Sequence, residues 1–161
     1  ARKIASWGDN VYVKVPVLKI NEWDGMSVND NLGQINLLAN EGIKLNVTAV
    51  MTLAQIRAVA RSLNPEVAAI ISIFAGRIAD TGRDPIPFFT EALRVKHDLT
   101  KILWASPREV YNYYQAQAVG ADIITMPPDL IKKLSLKDKD LTAYSRETVQ
   151  QFYEDGKGLS L

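Results

Sequence analysis

The chain has 161 residues, 47% of them hydrophobic, enough for one globular domain with a sizeable core. Its 19 basic and 18 acidic residues leave a formal net charge of +1, which gives no electrostatic footprint for nucleic acid or an anionic membrane surface. With no cysteine there are no disulfides or thiolate metal sites, and the single histidine, His97, sits at a predicted helix end, which argues against serine–histidine and histidine–metal chemistry. No apolar run approaches the roughly 20 residues of a membrane span and no signal peptide is legible, so the expected location is the cytoplasm.

In chain order, Ala1 to Trp7 reads as the tail of an amphipathic helix stopped at Gly8. The run Val11-Tyr12-Val13-Lys14-Val15-Pro16-Val17 then reads as a strand whose valines line one face while Tyr12, Lys14 and Pro16 share the other. If the valine face packs on helices, Lys14 points to the enclosed side of a sheet or barrel. Burial disfavours the ammonium form, so a lysine there can serve as an amine nucleophile toward a carbonyl. The competing reading is a solvated lysine on an edge strand, a setting that Pro16 suits because it has no ladder donor.

A loop with Asp24-Gly25 leads to a predicted helix from Asp30 to Glu41, stopped by Gly42. Ile43 to Val50 reads as a strand and Thr52 to Leu63 as a helix capped by Thr52 and broken by Asn64-Pro65. Val67 to Phe74 is a buried strand, Pro85 to His97 a helix, Lys101 to Ala105 a strand, and Pro107 to Val119 a helix closed by Gly120. Ile123 to Met126 is the last strand, followed by a short helix over Leu130 to Leu134 and an amphipathic one over Ser145 to Tyr153. Strands that each precede a helix predict a parallel sheet with right-handed crossovers, either open and doubly wound or closed as a barrel.

Active sites of such folds collect at the C-terminal ends of the strands, and the candidate polar residues fall there. Asn46 and Thr48, two apart, share a face of the second strand; Ser72, Phe74 and Arg77 lie on or after the third; Ser106 and Arg108 follow the fourth. Each also has a local explanation: Thr48 bonding its own backbone, Ser106 capping a helix begun by Pro107, Arg77 solvated. Two arginines at successive strand ends, with a serine and a glycine beside them, form a reasonable phosphate clamp because guanidinium matches phosphate geometry.

Lys14-Val15-Pro16-Val17, the block Glu41-Gly42-Ile43-Lys44-Leu45-Asn46-Val47-Thr48-Ala49-Val50, Phe74-Ala75-Gly76-Arg77-Ile78 and Ala105-Ser106-Pro107-Arg108 together resemble the transaldolase family, including its small fructose-6-phosphate-aldolase-like branch. The resemblance covers most of Val11 to Leu134. It implies a (β/α)₈ TIM barrel, of which this chain holds about the last five βα units, as one barrel domain over residues 1–161 with a C-terminal helix at about 145–153. It also implies a class I enzyme of carbohydrate metabolism and the pentose phosphate pathway. Such an enzyme moves a dihydroxyacetone unit between a ketose donor and an aldose acceptor, both sugar phosphates, with no metal or organic cofactor. Homo-oligomerisation is expected, and neither nucleic acid nor membrane is an expected partner.

By position, Lys14 resembles the Schiff-base lysine, Asn46 a contact to the bound ketose unit, and Thr48 the threonine that helps to hold a catalytic water. Ser72 resembles a substrate-binding serine, and Arg77, Ser106 and Arg108 the phosphate grip. Phe74 stands where transaldolases carry phenylalanine and the aldolase branch tyrosine, which favours transfer over simple aldol cleavage. The chain departs from the family in two ways. Relatives begin with three further βα units carrying two acidic residues, so a fragment is expected, active or reduced to sugar-phosphate binding, with Glu22 and Asp24 as loop carboxylates nearby. Pro107 also stands where many relatives carry an aromatic residue. Near the C-terminus, Tyr144, Val149, Phe152 and Tyr153 have a spacing suited to packing on a barrel or a neighbouring subunit.

Overall fold

Runs rich in valine, isoleucine and leucine separated by amphipathic stretches form one parallel sheet and its crossover helices, in a computed structural model that describes residues 1–18 and 31–157. The first unit, Ala1–Met126, contains α1 (Arg2–Ala5), β1 (Val13–Pro16), α2 (Leu32–Asn40), β2 (Leu45–Val50), α3 (Leu53–Ser62) and β3 (Ala69–Ile73). It continues with α4 (Ala75–Ala79), α5 (Ile86–Val95), β4 (Thr100–Trp104), α6 (Tyr111–Val119) and β5 (Ile123–Ile124). The second unit, Pro127–Leu161, holds α7 (Pro128–Lys133), a 3₁₀ turn (Leu134–Leu136) and α8 (Leu141–Gly156).

All four strand pairings are parallel and the spatial order is β1-β2-β3-β4-β5, the same as the chain order. A doubly wound sheet reverses its order at a switch point. This one never reverses, so the fold is a run of five βα steps in the winding of a TIM barrel, which the alternation left open beside the doubly wound option and the family resemblance implied. Among the described residues β1 and β5 are the two edges.

The side chains divide the sheet into two unlike faces. Val13, Leu45, Val47, Val50, Ala69, Ile71, Ile73, Ile102 and Trp104 join one hydrophobic cluster with Ile35, Ile56, Val59, Phe89 and Ala116 from the helices. Phe89 stacks on Trp104 at 4.5 Å between ring centroids, tying α5 to β4. The alternate positions, Lys14, Asn46, Thr48, Ser72 and Leu103, lie outside that cluster and face the other way.

Local chemistry explains most boundaries. Thr52 and Gln55 form a reciprocal capping box at the start of α3. Gly42 and Gly120, at φ 81° and 83°, close α2 and α6 by the same device, in which the next N–H (Ile43, Ala121) reaches back to Leu38 or Ala116. Three expectations needed correction. The helix predicted from Pro107 starts at Tyr111, because the Asn112 side chain accepts the N–H groups of Arg108 and Glu109 and holds a turn there. The residues after β3 form a short helix, α4, that apolar patterning did not show. The last helix runs Leu141–Gly156, longer than 145–153, and starts where Asp140 caps Ala143. Tyr144, Val149, Phe152 and Tyr153 on it are all exposed. The predicted loop with Glu22, Asp24 and Gly25, and the helix start at Asp30, lie outside the described residues.

Candidate active site

The polar positions on the sheet face opposite the core converge because the strands are in register. Lys14 is level with Asn46, and Pro16 with Thr48. Val13 and Val17 are buried while Lys14 is exposed, so the predicted split of β1 into an apolar and a polar face holds. Among the described residues β1 is an edge strand, and none of the other strands lies on its outer side to enclose Lys14. The end of β1 is strapped by Asn31, whose Nδ2 donates to the Pro16 carbonyl (2.8 Å) while its Oδ1 accepts the Leu18 N–H (2.9 Å). One side chain thus supplies a donor and an acceptor to backbone groups that no strand among the described residues pairs.

On the next strands Ser72 Oγ donates to Asn46 Oδ1 at 2.7 Å. Ser72 is buried at 2% exposure, so this bond forms in a low-dielectric setting and fixes the Asn46 amide, whose Nδ2 has no partner among the described residues. Thr48 sits at a β-bulge: Val47 is level with Ile71 but Val50 with Ile73, so β2 carries one extra residue, accommodated by Ala49 at φ 61°. The bulge returns Val50 to the core while Thr48 stays on the polar face. The Thr48 hydroxyl is buried and has no hydrogen-bond partner among the described residues.

Phe74, Arg77, Ser106 and Arg108 form a second group beyond the ends of β3 and β4. The Arg77 guanidinium lies 5.5 Å from the Phe74 ring centroid, a cation–π contact within one turn of chain. Ser106 stands at φ 61°, an αL conformation rare outside glycine, and Pro107 is buried beside it. The turn is pressed against α4, since a Cβ added at Gly76 would fall 1.6 Å from the Ser106 carbonyl oxygen. Arg108 pairs through both Nε and Nη2 with Asp80, at 3.2 and 2.5 Å. With both partners about half exposed, the pair contributes only about 0–1 kcal/mol to stability.

Asp80 and Asn112 are site-shaping residues that pattern reading did not find, whereas Gly76 is the glycine read beside the two arginines. Gly76 directly after an apolar strand was the available signal. His97 takes no part: its Nε2 is 3.0 Å from the Ala60 carbonyl in the helix layer. No group of acidic or histidine side chains among the described residues is arranged to hold a metal ion, and no helix is long and apolar enough to cross a membrane.

A barrel-type parallel sheet with a lysine, an oriented asparagine and a buried threonine on one face, and arginines beyond the ends of β3 and β4, defines a class of α/β fold and site. Comparison with known proteins narrows the class. The family described as transaldolase/fructose-6-phosphate aldolase matches residues 1–160, and the chain belongs to that family. A probable transaldolase of Methanococcus maripaludis strain C5 is 33% identical over 137 residues, 83% of this chain and 57% of the relative. One from Streptococcus equi subsp. zooepidemicus is 34% identical over 139 residues, 84% of this chain and 58% of its own. One from Thermoplasma volcanium is 31% identical over 163 residues, 99% of this chain and 65% of its own. The chain therefore spans between about half and two thirds of the length of these relatives.

Proposed function

We propose that this chain carries the Schiff-base half of a transaldolase site, moving a dihydroxyacetone unit from a ketose phosphate to an aldose phosphate. The observation that carries the reading is that Lys14 is level with Asn46, which Ser72 holds by a hydrogen bond, on three adjacent strands and on the sheet face opposite the hydrophobic cluster. In this reading the Lys14 amine adds to the ketose carbonyl, and loss of water gives the imine. The C3–C4 bond of the protonated imine then breaks, its electron pair moving toward the iminium nitrogen to leave an enamine, while the C4 hydroxyl passes its proton to the water at Thr48 and its fragment leaves as an aldehyde. Addition of the enamine to a second aldehyde and hydrolysis of the new imine complete the transfer.

Asn46 Nδ2, oriented by Ser72, holds an oxygen of the three-carbon unit. Thr48 holds the water that enters and leaves in imine chemistry. Arg77, Ser106 and Arg108 bind the phosphate, a dianion for which guanidinium is the better-matched cation. Phe74 supports transfer rather than aldol cleavage, because a phenylalanine brings no hydroxyl to protonate the enamine and release a free ketone.

The test is borohydride reduction in the presence of fructose 6-phosphate, read by peptide mass spectrometry on the chain and on Lys14→Ala. A reduced three-carbon adduct confined to the peptide holding Lys14, and lost in the variant, is the expected result. Folded protein that gives no adduct, or an adduct on another lysine, would refute the assignment.

A further inference from the structure

One ion pair joins the two strand ends that carry the arginines, and the chemistry above does not use it. Asp80 lies three residues after Arg77, so the two share a side of the α4 turn, and its carboxylate draws Arg108 to that side. The contact uses Nε and Nη2, the side face of the guanidinium, and leaves the end face formed by Nη1 and the second Nη2 hydrogen for another ligand. The backbone of Arg108 is fixed separately, its N–H donating to Asn112 Oδ1 at 2.7 Å. Arg77 is held by a different means, against the Phe74 ring. Each guanidinium is thus restrained by a group of its own before any ligand arrives.

We propose that Asp80 is a positioning residue: it aims the end face of Arg108 at a phosphate group bound beside Arg77. This rests on the phosphate role given to the two arginines above. The sign of the effect separates positioning from simple charge. Two guanidinium groups and one carboxylate leave the cluster at net +1, so removing Asp80 raises its positive charge, and electrostatics alone would tighten the binding of a phosphate dianion. Positioning predicts the reverse, because an unrestrained arginine must be immobilised on binding.

The experiment titrates inorganic phosphate into the 161-residue chain, following backbone amide shifts by NMR, for wild type, Asp80→Ala, Asp80→Asn, Asp80→Glu and Arg108→Ala, with thermal unfolding of each. The expected result is that Asp80→Ala weakens phosphate binding about three- to tenfold. Asp80→Glu should recover most of it, and Arg108→Ala should lose more than any Asp80 variant. Asp80→Asn keeps the shape and one acceptor, reads the charge separately, and serves if the alanine variant does not fold. Unchanged or tighter binding in Asp80→Ala, with binding still lost in Arg108→Ala, would overturn the role of Asp80 and leave the phosphate cluster standing. If wild type shows no saturable shifts, or Arg108→Ala binds as wild type does, the phosphate reading itself fails and Asp80 loses its role with it.

Discussion

Replacing Gly76 by alanine tests how the phosphate turn is built. The new Cβ would lie 1.6 Å from the Ser106 carbonyl oxygen, 2.8 Å from its carbonyl carbon and 3.2 Å from Arg108 Nε. Non-bonded heavy atoms settle near ~3.5 Å, so the two backbones must part by roughly 2 Å. Neither side yields easily. Ala105 N–H is bonded to the Ile73 carbonyl at 2.9 Å, Ser106 is already at φ 61°, and Asn112 ties down the following turn. The cost therefore falls at the upper end of the overpacking range, about 3 kcal/mol. For a chain of this size that lowers the melting temperature by roughly 6–12 °C. Gly33 supplies the control. It lies within α2 with nothing within 4 Å of its virtual Cβ, so Gly33→Ala should stabilise by up to about 1 kcal/mol through helix propensity alone. Thermal and urea unfolding of both variants give the readout. Melting of Gly76→Ala within a degree of wild type, or equal destabilisation by both, would refute the close-approach argument.

Ser72→Ala should lower turnover of fructose 6-phosphate about tenfold or more while costing about 1–3 kcal/mol in stability, since it leaves the Asn46 carbonyl oxygen unpaired and its amide free to turn. Steady-state kinetics alongside urea unfolding separate the two effects. Arg77→Ala should raise KM more than it lowers kcat, because it removes a binding contact remote from the reacting carbon; an equal fall in kcat and kcat/KM would contradict that role. Glu91 lies between Arg57 and Arg94, which lower its pKa from 4.5 to about 2, the Arg94 hydrogen bonds contributing most. Its contribution to stability is therefore complete above pH 4.5 and lost as the pH falls toward 2. Glu91→Gln should flatten the dependence of stability on pH across that interval, measured by urea unfolding at stepped pH.

The amino-acid sequence by itself determined the order of elements other than α4, the parallel sheet and the positions of the polar residues, because these follow from local periodicity. Valine alternation marks β1, a threonine cap starts α3, and glycine stops α2 and α6. It also indicated that Asn46 and Thr48 share a face, since residues two apart on a strand do so. Only the tertiary structure decided the rest. Sequential strand order selects barrel winding over double winding, and strand register alone sets Lys14 level with Asn46. The bulge that keeps Thr48 on the polar face while Val50 rejoins the core depends on pairing between strands. The pairing of Asp80 with Arg108 and the pressure of Ser106 on Gly76 join residues about 30 apart in the chain. No periodicity encodes such contacts. They come from the twist and stagger of neighbouring βα steps, which fix where each strand ends relative to the next.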